Sequence, residues 1–212
     1  TSVIADPHEI VNVAGMAGFR YMVQAAEHLP MDIYYMVPSC VPATHLETSG
    51  ACFSPREIEQ VFRFYPQSPG LGEMMNFPGV IMKNEEVLEK LKITRRWNRV
   101  IDGHAPLLAE KPLNAYVASG VSSEHECTKI DEAREKLALG IKILIRQGSA
   151  AQNLRELLPL VDDYNWPNTM FCCDDRHPED LIKEGEIDHI IRQAVAMGLD
   201  PVRAVQMATI NP

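Results

Sequence analysis

Basic charge is scarce in this chain: 20 Lys and Arg face 29 Asp and Glu across 212 residues, for a net charge of -9. A protein that binds nucleic-acid backbone needs a basic stripe to displace phosphate counterions. The only basic cluster here, Thr94-Arg-Arg96 with Arg99, looks like the C-terminal end of a helix and its exit. Long apolar runs are also missing. No stretch approaches the roughly 20 residues that a membrane helix requires, and no secretory signal pattern opens the chain. The expectation is a cytoplasmic protein with neither a nucleic-acid nor a membrane partner. Cysteine is sparse and odd in number, with five residues and no C-x-x-C pair. Vicinal Cys172-Cys173 sits inside an apolar run, so reduced thiols are expected and a disulfide framework is not. No G-x-G-x-x-G or Walker loop follows any apolar run. That removes the usual support for an open, doubly wound nucleotide-binding sheet.

What remains is a repeated rhythm of short apolar runs and longer amphipathic stretches. Val3–Ala5, Asp32–Val37, Gly70–Met74, Arg99–Ile101, Val121–Ser123, Ile141–Ile145 and Met170–Cys173 are expected to be buried strands. Between them, apolar residues at three- and four-residue spacing predict helices over 14–28, 56–64, 85–95, 113–119, 131–139, 150–158, 186–197 and 201–208. Ser54-Pro55 and Asn84 are expected to cap two of these helices, and Gly120 and Gly140 to end two others. Alternation of this kind means a parallel sheet with crossover helices. The length suits one barrel domain spanning 1–212. Seven strands are counted where a closed (β/α)8 barrel needs eight. The expectation is therefore an α/β, TIM-like barrel entered at about its second strand.

Chemistry-bearing residues gather where the apolar runs end. Asp6-Pro-His8-Glu9 closes the first run, and Glu73 follows Pro69-Gly-Leu-Gly72. His104 lies in Asp102-Gly-His-Ala-Pro106, His125 in Ser122-Ser-Glu-His-Glu126, and Asp174-Asp175 follow Met170–Cys173. In a parallel barrel the C-terminal ends of the strands supply the catalytic residues. Imidazoles and carboxylates gathered there would suit a divalent-metal site that activates water. Glu73 ends an otherwise apolar run, so its charge needs a partner or a metal. One of the acids beside His125 could hold the ring from behind. One aspartate of the Asp174-Asp175 pair would accept the proton of water, and Asp175 with Arg176 could form a local ion pair. His28 and His45 are expected to be structural or solvent-exposed and His189 a helix-face residue. His177 has no clear assignment.

Taken together, several motifs resemble bacterial adenine deaminase, of the amidohydrolase superfamily. They are Asp6-Pro-His-Glu-Ile10, Pro38-Ser-Cys-Val-Pro-Ala-Thr44, Gly70-Leu-Gly-Glu-Met-Met-Asn76, Asp102-Gly-His-Ala-Pro106, His125-Glu126, Asp174-Asp-Arg-His-Pro178 and Met207-Ala-Thr-Ile-Asn-Pro212. Each is weak alone; their order and spacing are specific. The resemblance implies a metal-dependent (β/α)8 barrel that hydrolyses adenine to hypoxanthine and ammonia in purine salvage. It implies two divalent metal ions, manganese or iron with zinc also admissible, and a homo-oligomer at full length. It implies that Glu73 bridges the ions, that His104 and His125 are ligands, and that Asp174 is both ligand and general base. Glu126, Glu9 and His8 are the candidates for protonating the purine ring. Asp6, Asp175, Arg146 and Ser149 would line the pocket or support the ligands.

The chain departs from the family in four places. The family's first-strand His-x-His pair of ligands occurs nowhere here, and its flanking β-domain is not recognisable. Leu107-Leu-Ala-Glu110 stands where glycines are usual, and Gln147 stands where an acid is usual. The isolated chain is accordingly expected to be inactive. The rival expectations are another amidohydrolase, acting on cyclic amides or N-acetyl groups, and a binding module or inactive fragment that keeps the barrel but lacks those ligands.

Overall fold

Parallel strands alternate with helices along the whole chain, as the apolar rhythm predicts. The computed structural model describes residues 2–44 and 46–212; the expectation for His45 lies outside them. The chain divides into two compact units, Thr1–Ala105 with Ala115–Ser122, and Pro106–Asn114 with Ser123–Pro212.

In the first unit β1 (Ser2–Ala5) leads into α1 (His8–Ala26), and β2 (Asp32–Tyr35) into α2 (Pro55–Phe64). Then follow β3 (Gly70–Met74), α3 (Phe77–Ile81), α4 (Glu85–Arg96) and β4 (Val100–Gly103). β1 and β2 pair in parallel from Ser2↔Asp32 to Ala5↔Tyr35. A parallel bridge between Val37 and Leu71 carries the pairing on to β3. β3 pairs with β4 in parallel, with a shift of register between Leu71 and Met74. Every residue of β3 is buried, the signature of a strand covered on both faces. The predicted caps form: Ser54 and Glu57 make a capping box on α2, and the Asn84 side chain accepts from Val87 N. Arg95 and Arg96 occupy the last turn of α4, where positive charge complements the helix dipole.

The second unit holds β5 (Ser123–Glu124), α6 (Ile130–Ala138), β6 (Lys142–Arg146), α7 (Leu154–Leu157) and β7 (Thr169–Cys172). It closes with α8 (Pro178–Lys183), α9 (Ile187–Ala196) and α10 (Pro201–Met207). β5 pairs with β6, and β6 with β7, all in parallel. Helix α5 (Glu110–Ala118) has its first residues in this unit and its last in the other. Gly120 and Gly140 adopt φ of 106° and 88°, as helix-ending glycines do.

Three expectations are corrected. The first helix begins at His8 rather than Ala14, and Gly15 inside it takes φ 57°, which breaks the regular turn. The stretch 150–158 is helical only from Leu154, and Pro159 lets it continue only as a 3-10 turn over Leu158–Leu160. Helices α3 and α8 escape the spacing argument because five- and six-residue helices carry too few apolar positions to show a period.

Beneath β5 lies a charge cluster in which Lys136 and Glu124 are fully buried. Lys136 Nζ of α6 donates to Glu124 Oε2 and Glu132 Oε1, both at 2.8 Å. The other Glu124 oxygen accepts from Glu126 N at 2.6 Å, which fixes the turn that carries His125 and Glu126. Burying such charges is tolerable because each is paired and hydrogen-bonded. Burial works against the Lys136 ammonium, but Glu124 and the other neighbouring negative groups outweigh it and raise its pKa.

The same helix holds the loop that begins at Pro106. Leu107 and Glu110 both lie in the left-handed region, at φ 60° and 56°. Their N–H groups donate to Glu132 Oε1 (2.8 Å) and Glu135 Oε1 (2.6 Å) respectively. Two anchored acids thus keep a conformation that glycine adopts without strain. Leu107→Gly is expected to stabilise the chain by about 1 kcal/mol, since a left-handed non-glycine residue costs ~1–2 kcal/mol and the added unfolded freedom takes back part. The Leu107 side chain is 77% exposed, so little burial is lost. A melting temperature raised by roughly 2–4 °C is the expected readout. A drop would mean that the leucine side chain contributes packing.

Candidate metal centre

The first unit gathers Asp6, His8, Glu73 and His104. Glu73 lies inside β3 and is only 8% exposed. Its Oε2 is 2.6 Å from His104 Nδ1 and its Oε1 is 3.3 Å from His8 Nδ1. His8, in the first turn of α1, also lies 3.7 Å from Asp6 Oδ2. The Asp6 carboxylate rests against the backbone of β3 at a point that only glycine permits: a Cβ on Gly72 would fall 1.9 Å from Asp6 Oδ2.

Electrostatics set this cluster apart from an ordinary ion pair. Burial pushes the Asp6 carboxyl up to about 6, against the opposing pull of His8. The contact with Asp6 raises His8 to about 9, outweighing the effect of its own burial. At 3.7 Å that contact is a charge pair rather than a hydrogen bond. Both Asp6 oxygens and His8 Nδ1 are buried without a hydrogen-bond partner. Buried polar atoms are normally satisfied, and a hard cation is one group that would satisfy a carboxylate. One ligand atom each from Asp6, His8 and Glu73 lies within 4.8 Å of the others, a spacing that fits a shared divalent ion.

The second unit gathers His125, Glu126, Arg146 and Asp174. His125, 6% exposed, has Nε2 at 3.5 Å from Glu126 Oε1. Of the two acids flanking His125, Glu126 is therefore the one beside the ring, while Glu124 turns to Lys136. Arg146, at the end of β6, makes two hydrogen bonds to Glu126, one of them from Nη2 to Oε2 at 3.1 Å. Its Nη1 also donates to Asp174 Oδ2 at 2.5 Å. Burial opposes the Arg146 charge, but Glu126 and Asp174 raise its pKa nonetheless. One ligand atom each from His125, Glu126 and Asp174 lies within 4.8 Å of the others. Asp174 itself has φ 59°, a left-handed residue two positions beyond the end of β7. Strain of this kind in a non-glycine residue collects at functional sites.

Other candidates stand at the edge of these clusters. Glu9 touches His8 Nε2 at 3.6 Å, but its side chain is 80% exposed. Asp175 accepts from Ala150 N (2.7 Å) and Ala151 N (3.2 Å). Burial would raise its pKa, but those N–H groups outweigh it and hold the carboxyl below the usual range. The Asp175–Arg176 pair does not form: Arg176 instead binds Glu184 at 2.5 Å and the Gly185 carbonyl. A Cβ on Gly148 would lie 1.5 Å from Asp175 Oδ1, so this glycine makes room for the aspartate. Ser149 Oγ donates to Asp180 and accepts from His177 N, which makes it a loop fastener. His28 and His177 are exposed, and His189 sits half-buried on α9.

Spacing gave no hint of Tyr116 or Ser39, because an aromatic residue on a helix and a serine after a strand look like ordinary packing. Tyr116 of α5 is fully buried, and Ser39 is 2% exposed. Both hydroxyls contact the end of β3.

The amidohydrolase family model matches residues 1–212. The chain belongs to the amidohydrolase family. Among curated proteins it is 52% identical to an adenine deaminase of Desulfatibacillum aliphaticivorans over 211 residues, which is 100% of this chain and 37% of the relative. It is 52% identical to adenine deaminase 2 of Carboxydothermus hydrogenoformans over 210 residues, 99% of this chain and 36% of that protein. It is 51% identical to an adenine deaminase of Methanothrix thermoacetophila, again over 100% of this chain and 37% of the relative. This amidohydrolase chain thus spans little more than a third of the curated relatives it matches. Among solved structures, the TatD homolog YjjV of Escherichia coli K12 matches with a TM-score of 0.64 and 14% identity, covering 99% of this chain and 83% of that one. That likeness supports the TIM-like α/β fold. No helix among the described residues is long and apolar enough to cross a membrane.

Proposed function

We propose that this chain is the catalytic-barrel portion of an enzyme that hydrolyses adenine to hypoxanthine and ammonia. The observation that carries the reading is identity of about half, along essentially all of the chain, with proteins named adenine deaminase. We read 1–212 as one barrel domain, in a cytoplasmic enzyme of purine salvage that is a homo-oligomer at full length.

Glu73 and His104 in one unit, and His125 and Asp174 in the other, are the residues we assign to holding two divalent ions, manganese or iron, with zinc also compatible. Asp6 and His8 support Glu73. Bound divalent metal would supply positive charge and make water acidic enough to be used near neutral pH. Asp174 accepts the proton of the attacking water, as a general base does. As the C6–oxygen bond forms and the C6–nitrogen bond breaks, that proton passes to the departing amine. A ring nitrogen that takes a proton from a neighbouring acid draws electrons from C6, and the acid recovers a proton from the new C6 hydroxyl as it becomes the carbonyl. His8 suits that task better than Glu126, whose oxygens are held by Arg146, or Glu9, which is largely exposed. Arg146 fixes Glu126 and Asp174, while Asp175 and Ser149 order the loops beside them.

The test is ammonia release from adenine by the full protein, loaded with manganese or iron, beside a cyclic amide and an N-acetylated substrate. Release from adenine alone supports the reading. Turnover of the cyclic amide or the N-acetyl compound instead, with none of adenine, overturns the substrate and leaves the family membership standing.

A further inference from the structure

We infer that Tyr116 is a positioning residue that sets the spacing between Glu73 and His104, through its hydroxyl rather than its ring. The inference rests on the reading of those two residues as metal ligands. β3 and β4 pair regularly at Gly70↔Val100 and Leu71↔Ile101, then lose register before Met74↔Gly103. Glu73 lies in that irregular stretch, and His104 follows it on the partner strand. The Tyr116 hydroxyl spans the gap: it donates to the Met74 carbonyl at 2.9 Å and accepts from His104 N at 3.0 Å. One oxygen thereby ties the backbone next to Glu73 to the backbone of His104.

Two further contacts make this an oriented clamp. Ser39 Oγ donates to the Glu73 carbonyl at 2.5 Å, so successive carbonyls at the end of β3 each receive a side-chain hydroxyl. The Tyr116 ring meets Phe77 edge to face at 6.5 Å, which fixes the direction of the phenol. With Tyr116 fully buried, water cannot replace its hydroxyl. Loss of that hydroxyl would remove one hydrogen bond from the His104 N–H and one from the buried Met74 carbonyl, and the strand ends would shift to compensate. Side chains that orient metal ligands commonly alter affinity about 10–100-fold when removed.

The experiment compares Tyr116→Phe with Thr94→Val in the full protein. Thr94 is a fully buried residue of α4 whose hydroxyl donates to the Lys90 carbonyl at 2.9 Å, so its loss matches the stability cost away from the metal ligands. Divalent-metal affinity is read by chelator competition with manganese, and stability by thermal unfolding. The expected result is at least a tenfold loss of affinity in Tyr116→Phe and affinity unchanged in Thr94→Val at a similar melting temperature. Equal affinity in the two variants overturns the inference. Should Tyr116→Phe fail to fold, amide hydrogen exchange in the unaltered protein decides. The His104 amide should exchange as slowly as that of Ile101 in the middle of β4, and fast exchange overturns the clamp. If adenine is not a substrate but Tyr116→Phe still loses metal, the substrate reading falls and the positioning role stands.

Discussion

Glu73→Gln is expected to strip the full protein of most of its bound metal. Glutamine keeps the size of the side chain and can still meet His104, so packing inside β3 survives. What disappears is a buried negative charge lying 2.6 Å from one imidazole and 3.3 Å from another. A neutral amide offers a divalent ion far less, and the loss in affinity should exceed the about 10–100-fold typical of residues that merely support a ligand. Metal analysis of the purified variant, with adenine turnover alongside, checks this. Unchanged metal content would remove Glu73 from the ligand set.

Asp174→Asn should act on rate more than on binding. Asparagine retains an oxygen that can accept from Arg146 and the volume that fits after β7, but it cannot take a proton from water. A positioned general base contributes about 10²–10⁴-fold. Adenine turnover should therefore fall by about that factor while KM moves only a few-fold. Such a pattern marks an interaction made in the transition state rather than with bound substrate. Near-normal turnover would assign the proton transfer elsewhere, and a large rise in KM with kcat preserved would make Asp174 a substrate-binding group.

Much of the fold was legible because buried parallel strands write themselves as short apolar runs, and all seven expected strands are present among the described residues. Helix caps were equally plain, since Ser54 and Asn84 act within three residues of themselves. The gathering of Asp6, His8, Glu73 and His104 follows from their places at strand ends. Partner choice did not show in the sequence. Ser122-Ser-Glu-His-Glu126 offers two acids to one histidine, and only a buried lysine twelve residues beyond Glu124 decides that this acid turns away. Arg176 likewise has an acid next to it in sequence but pairs with one eight residues away. Tyr116 was hidden for a related reason: a hydroxyl that bridges two backbones leaves no pattern along either.

Gly72 and Gly148 contribute no side chain to either cluster, yet each is shaped by an aspartate from a distant part of the chain. The space that a Cβ would need at Gly72 is filled by Asp6, and at Gly148 by Asp175 together with the Cys173 carbonyl. Each glycine and its aspartate therefore form one unit of inheritance. A larger residue can enter at position 72 only in a lineage that has first shortened or redirected the side chain at position 6, whereas at 148 the Cys173 backbone must move as well as the side chain at 175. Change at these paired positions in kindred proteins would mark a rebuilt site before any ligand had been exchanged.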